Sequence, residues 1–247
     1  MTKTQLIRAA ILSAPVVAAL VQPALAQEVS LSLGDTGSLT ARSIQLILLI
    51  TVLSLAPGIV IMVTCFPFLV TVLSILRQAL GLQQSPPNML IVSLALFLTY
   101  FVMEPVFSRA WVEGIDPLMS EQIDVETAFQ RTLAPFRVFM TARLDPETYQ
   151  TMAALRPEVP AGAPGPEAPL SVLVPSFLLS EMARAFQIGF LIFLPFLIID
   201  LVVAAVLMSM GMMMVPPAIV SLPFKLSFFV IADGWSLVAS SLVRSYF

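Results

Sequence analysis

Four long apolar runs dominate the hydropathy pattern of this chain, and a polar segment separates the second run from the third. The runs are residues 44–76, 89–103, 186–214 and 218–243. A helix needs about 20 apolar residues to cross a hydrocarbon core of roughly 30 Å, so runs of this kind indicate membrane-type helices. The pattern predicts an all-α fold in which two helical hairpins flank a partly helical polar insert.

Prolines divide the first two runs. Pro57, within Ala56-Pro57-Gly58, and Pro67 interrupt the first run, which predicts a kinked helix or two shorter helices. Glu104-Pro105 closes the second run, which reaches spanning length only if the helix starts at Pro87 and Asn88. Proline suits the first turn of a helix, because its missing N–H is not needed there.

Two proline pairs indicate the hairpin turns. Pro86-Pro87 and Pro216-Pro217 each follow one apolar run and precede another. The first hairpin therefore covers residues 44–103. The second covers residues 176–247 and carries a methionine-rich loop near its turn.

The insert, residues 104–175, holds most of the acidic side chains. Its first part predicts one amphipathic helix, because large apolar residues recur at helical spacing at Phe129, Leu133, Phe136 and Met140. A stretch rich in proline, glycine and alanine follows at residues 156–169 and predicts an irregular loop.

The N-terminus has the layout of a secretory signal peptide. Lys3 and Arg8 precede an apolar stretch at residues 9–21, and Ala24-Leu25-Ala26 stands before Gln27. We expect cleavage between Ala26 and Gln27, which leaves a polar N-terminal segment at residues 27–43; the alternative is an uncleaved first membrane helix. Cleavage places the mature N-terminus, and with four crossings the insert, outside the cytoplasm.

Composition agrees with a membrane protein and excludes several activities. Hydrophobic residues make up 58% of the chain and charged residues 11%, where a soluble domain carries about a quarter charged. A net charge of -3, with Lys3 and Lys225 as the lysines, gives no basic face for nucleic acid. The chain has no histidine and a single cysteine, Cys65. The sequence therefore predicts no Ser-His-Asp or Cys-His catalysis, no cofactor and no metal site, and a buried, inert Cys65.

Three charged residues stand inside the third and fourth runs: Asp200, Lys225 and Asp233. A carboxylate in an apolar helix is costly and is usually paired or functional. A turn near Pro216 brings Asp200 towards the last run, so an ion pair between helices or between subunits is the leading interpretation. A proton or ion relay is the alternative. Intramembrane aspartyl proteolysis is disfavoured, because Ile231 stands where such proteases have a glycine before Asp233-Gly234.

The methionine-rich loop is the most unusual stretch. Methionines occupy five of seven successive positions, at Met208, Met210, Met212, Met213 and Met214. Flexible, polarisable thioethers adapt to irregular surfaces, so a ring of them seals a pore yet parts when a chain passes. Ordinary apolar packing is an equal alternative. Cu(I) transport is a third, weakened by the absence of histidine and of a second cysteine.

Four stretches together resemble the FliP family of type III secretion export-gate proteins. The resemblance is colinear over about residues 44–247 and rests on residues 73–88 (LSILRQALGLQQSPPN), 94–99, 185–202 and 208–235. The insert matches more loosely. The motifs favour a flagellar over a virulence-secretion member.

This resemblance implies much that the residues alone do not. It implies a pentamer that forms a helical channel with FliQ and FliR, in the bacterial inner membrane at the flagellar basal body. FlhA and FlhB are the implied partners, FliO the assembly factor, and unfolded flagellar proteins the export substrates. The family's inward gasket maps onto Met210, Met212, Met213 and Met214. A separate subunit is the ATPase.

Two other functions fit the hydropathy pattern. A small-solute secondary transporter places a substrate site near the membrane midplane, between discontinuous helices. A non-conducting assembly scaffold leaves the pore to other subunits.

Overall fold

A computed structural model describes residues 39–82, 85–158, 164–212 and 214–247. The predicted signal cleavage at Ala26–Gln27, most of the segment 27–43 and the side chain of Met213 lie outside these residues. The described residues form helices and no strand: α1 Leu39–Met62, α2 Phe66–Ala79, α3 Asn88–Ala110, a π-helical turn Trp111–Ile115, α4 Asp116–Met119, α5 Val125–Arg143, α6 Pro146–Ala154, α7 Leu170–Ser209, α8 Pro217–Ile231 and α9 Gly234–Arg244. The predicted all-α class is confirmed.

The chain divides into two units at residues 53 and 54, and the second unit spans residues 54–247. In the second unit the short helix α2 is the centre of the core and packs most extensively against α7. Its Phe68, Leu69 and Val72 are fully buried. Gly189 of α7 permits this packing, because a Cβ there would lie 2.4 Å from Cδ1 of Ile75.

The insert folds as a helical pair. The predicted amphipathic helix is confirmed as α5, which buries Met140 against Val172 and Phe177 of α7. An aspartate caps α5 and another caps α6: Asp124 accepts from the Thr127 N–H at 3.4 Å, and Asp145 from the Thr148 N–H at 2.8 Å. The Thr127 and Thr148 hydroxyls also donate to these carboxylates, each at 2.6 Å. These hydroxyl bonds, and after them the N–H bonds, stabilise the ionised carboxylates and lower the pKa of Asp124 and of Asp145.

Prolines end fewer helices than predicted. Closure of the second run at Glu104-Pro105 is wrong, since α3 continues to Ala110 with Pro105 inside it. The interruption at Pro57 does not end a helix, because α1 runs through it. The first run does form two helices, but it breaks just before Phe66. Packing neighbours and local π or 3₁₀ adjustment let apolar helices tolerate proline in their interior.

The second hairpin differs from its prediction at both ends. Helix α7 begins at Leu170, before the predicted start at Ser176, and is 40 residues long. The fourth run is two helices that bend by 62° at Ala232–Asp233. By length and composition, three described helices are able to cross a membrane, or four when the bent pair counts as one span.

Candidate functional site

The methionine loop joins α7 to α8 through a defined turn. Gly211 adopts φ +74°, and its N–H donates to the Met208 carbonyl at 3.0 Å. The Met212 N–H donates to the Leu207 carbonyl at 3.0 Å, which completes a Schellman ending. Pro217 then opens α8 at its first turn. The predicted turn between the third and fourth runs is therefore a stable helical hairpin.

The methionine side chains of this loop point away from the chain's own core. The exposed fractions are 67% for Met210, 42% for Met212 and 97% for Met214. Large apolar side chains at such exposure require cover from lipid or from another protein surface. Core filling within the chain therefore does not account for these three residues.

An apolar groove of about 670 Å³ opens beside the loop, between α7 and α8. Its lining includes Val202, Val206 and Phe224 on the helices and Met210 and Met212 on the loop. The loop and the hairpin thus present one continuous apolar surface.

A partly buried ion pair joins the two helices of this hairpin. Lys225 Nζ lies 2.6 Å from Asp200 Oδ2, and Ser221 donates to Asp200 Oδ1 at 2.6 Å. Lys225 also donates to the Ala79 carbonyl at 3.1 Å. That carbonyl belongs to the last turn of α2, where a cation is favoured. The pair therefore links α2, α7 and α8 at one point.

The three predicted charged residues do not meet at one place. The structure brings Asp200 and Lys225 together, but Asp233 is exposed at the bend between α8 and α9, with φ 47°. Among the described residues, no ion pair includes Asp233. Left-handed backbone is tolerated best by Gly, Asn and Asp, so Asp233 serves the bend geometrically.

Sequence reasoning missed a second buried charge cluster, centred on Glu181. This carboxylate is fully buried in α7 and accepts from Arg143 Nε at 3.1 Å and from Arg184 Nη1 at 3.4 Å. The Tyr246 hydroxyl donates to its other oxygen. Burial, together with the negative charge of Glu181, raises the pKa of Tyr246. Glu181 stands among apolar residues as Asp200 does, and the same reasoning applied to it would have found the cluster.

Cys65 lies deep in the core beside this cluster. It is fully buried, and burial raises the pKa of its thiol to about 12. A thiol that stays protonated and covered is neither a nucleophile nor a metal ligand. The structure agrees with the predicted inert role.

Comparison with known proteins gives consistent matches. The model of the FliP family matches residues 49–242. A protein of Caulobacter vibrioides named "Flagellar biosynthetic protein FliP" is 51% identical over 97% of this chain and 91% of its own length. Proteins of the same name from Agrobacterium fabrum and Bacillus subtilis are 50% and 47% identical, over 85% and 83% of this chain and 86% and 93% of their own lengths.

Proposed function

The chain belongs to the FliP family, and from this premise we propose that it is a pore-forming export-gate subunit of the flagellar type III protein secretion apparatus. As a FliP protein it is a component of flagellar export, and its apolar helices are those of an inner-membrane protein. The proposal adds that it conducts unfolded flagellar proteins across that membrane during flagellum assembly.

The exposed methionine loop is the observation that carries the gate role. A tight hairpin end presents Met210, Met212 and Met214 outside the chain's own core. Several copies around one axis would bring these unbranched side chains into a ring. Thioethers repack at little cost, so such a ring closes to ions and water and still yields to a passing polypeptide. The role is mechanical rather than catalytic.

The proposed assembly supplies the cover that the exposed surface requires. In it, five copies form a conduit with FliQ and FliR, FlhA and FlhB are the neighbouring export proteins, and FliO aids assembly. The chain is multi-pass and lies in the basal body. The long apolar helices and the groove between α7 and α8 support this proposal, because a single chain leaves them uncovered.

A leak measurement tests the gate. We expect Met212, Met213 and Met214 changed together to alanine to leave assembly intact and to raise the ion conductance of the membrane, because alanine leaves the ring open. The matched control is Met89→Ala with Met119→Ala, since both methionines are exposed, at 81% and 71%, and belong to α3 and α4 rather than to the loop. Wild-type conductance in an assembled triple variant contradicts the gate.

Two further experiments separate the rival functions. Deleting the gene is expected to abolish flagella and the secretion of hook and filament proteins, and the wild-type gene is expected to restore both. A photo-crosslinker placed at Met212 is expected to capture a stalled export substrate. If the protein is a scaffold, deletion abolishes secretion but the crosslinker at position 212 captures no export substrate. If it is a solute transporter, deletion leaves secretion intact and the crosslinker captures no export substrate.

A further inference from the structure

Ser245 and Tyr246, which follow α9, contact a buried charge cluster. The Tyr246 hydroxyl donates to Glu181 Oε2, and Arg143 Nη1 donates to the Ser245 carbonyl at 2.7 Å. The Arg143 guanidinium carbon lies 4.0 Å from the centroid of the Tyr246 ring, within the range of a cation–π interaction. The final turn therefore supplies one partner to the buried carboxylate and two contacts to its arginine.

The same residue touches two other helices through its ring. Tyr246 packs edge-on against Phe68 of α2, with ring centroids 5.6 Å apart, and stacks on Phe139 of α5 at 6.1 Å. With Glu181 on α7, one side chain near the end of the chain contacts three helices that are distant in sequence. One of the three, α5, belongs to the insert; the other two form the centre of the core.

We propose that Ser245 and Tyr246 are a latch that ties the insert to the helical core, and that the chain reaches its closed fold only when this latch docks on Glu181 and Arg143. Before docking, Glu181 lacks its Tyr246 donor and Arg143 lacks its carbonyl acceptor. Glu181 keeps Arg143 and Arg184 as partners, but without Tyr246 this buried carboxylate accepts one hydrogen bond fewer, so the cluster is less closed until Tyr246 docks.

The chain carries its own reporter of this step. Cys65, the single cysteine of the sequence, lies in the hydrophobic cluster against which Tyr246 packs. With the latch docked, the thiol is fully buried. When the latch leaves, the Tyr246 ring no longer covers this cluster and small reagents reach the thiol.

The test follows the labelling of Cys65 by a membrane-permeant maleimide in the full-length chain in isolated membranes. We expect slow labelling in the wild type and labelling faster by roughly tenfold or more in Tyr246→Phe, which keeps the ring and removes a hydrogen bond to a charged group. Deletion of residues 245–247 is expected to label faster still.

Two control variants distinguish a latch from general loosening. Phe247→Ala changes the neighbouring residue, which is 79% exposed, and is expected to label like the wild type. Phe196→Leu weakens a separate buried cluster and so lowers stability without touching the latch. For an equal loss of melting temperature, its Cys65 is expected to be labelled more slowly than that of Tyr246→Phe.

Three results overturn the proposal: wild-type labelling in both Tyr246→Phe and the deletion, equal acceleration by Phe247→Ala, or equal acceleration by Phe196→Leu. If the deleted chain is degraded and missing from the membrane fraction, Tyr246→Phe decides alone. The assay measures the accessibility of Cys65 within one chain. Its result therefore tests the latch whether or not the methionine ring proves to be the gate.

Discussion

Removing Asp200 from the Asp200–Lys225 ion pair is expected to lower the free energy of unfolding more than removing Lys225. The Lys225 side chain is 7% exposed, whereas that of Asp200 is 34% exposed. Asp200→Leu leaves a buried ammonium with the Ala79 carbonyl as its remaining partner. An uncompensated buried charge costs about 3–5 kcal/mol. At 2–4 °C per kcal/mol for a chain of this size, the melting temperature falls by roughly 6–20 °C.

The reverse change is milder for a reason visible in the structure. Lys225→Met leaves a carboxylate that still accepts from Ser221 at 2.6 Å and that water reaches on its exposed side. We expect a cost of about 1–3 kcal/mol. The double variant removes both charges, so its free energy of unfolding is expected to lie within about 1 kcal/mol of the wild-type value or above it. Ser221 does not lose its hydrogen bonding, because it also has the Ala218 carbonyl at 3.3 Å as an acceptor.

Thermal melting of the purified full-length protein in detergent measures all three variants. Asp233→Asn is the matched control, since it neutralises an exposed aspartate outside the pair and keeps a residue type that tolerates left-handed backbone. The reasoning is refuted if Lys225→Met destabilises as much as Asp200→Leu. A double variant as unstable as the worse single variant refutes it equally.

Two further predictions concern packing and pH. Gly189→Leu is expected to separate α2 from α7 and to lower the melting temperature and the yield of folded protein, whereas Gly58→Ala, with no atom within 4 Å of the added Cβ, is expected to change neither. Asp145→Asn keeps a capping oxygen for Thr148 but removes a carboxylate whose pKa is lowered in the fold. A lowered pKa stabilises the fold above about pH 4, and this contribution is lost as pH falls through the folded pKa. Asp145→Asn is therefore expected to melt below the wild type at neutral pH and at the same temperature as the wild type in acid. A difference in melting temperature that is the same at both pH values contradicts this prediction.

The parts that sequence reasoning predicted correctly depend on local signals. Helical spacing was enough for α5, and the Pro216-Pro217 pair was enough for the α7–α8 turn. The meeting of Asp200 with Lys225 follows from that turn, because a hairpin brings residues at similar distances from its end side by side.

The parts that it missed depend on neighbours distant in sequence. Proline weakens an isolated helix, which predicts a helix end at Pro105, but tertiary packing carries α3 through it. The Glu181 cluster combines α7, the last residue of α5 and Tyr246, and no local spacing connects Arg143 with Tyr246. The structural role of Asp233 depends on a backbone bend that composition does not encode.

The length of α7 bears on what surrounds the protein. Its 40 residues extend about 60 Å, twice the hydrocarbon thickness of a bilayer. Exposed apolar side chains occur along it from Leu179 to Met208, a rise of about 41 Å even at an average tilt of about 20°. Wherever the bilayer lies, some of these side chains project beyond its acyl chains. Other polypeptides must cover these side chains there. Neither lipid alone nor water alone therefore solvates the whole surface of the isolated chain favourably.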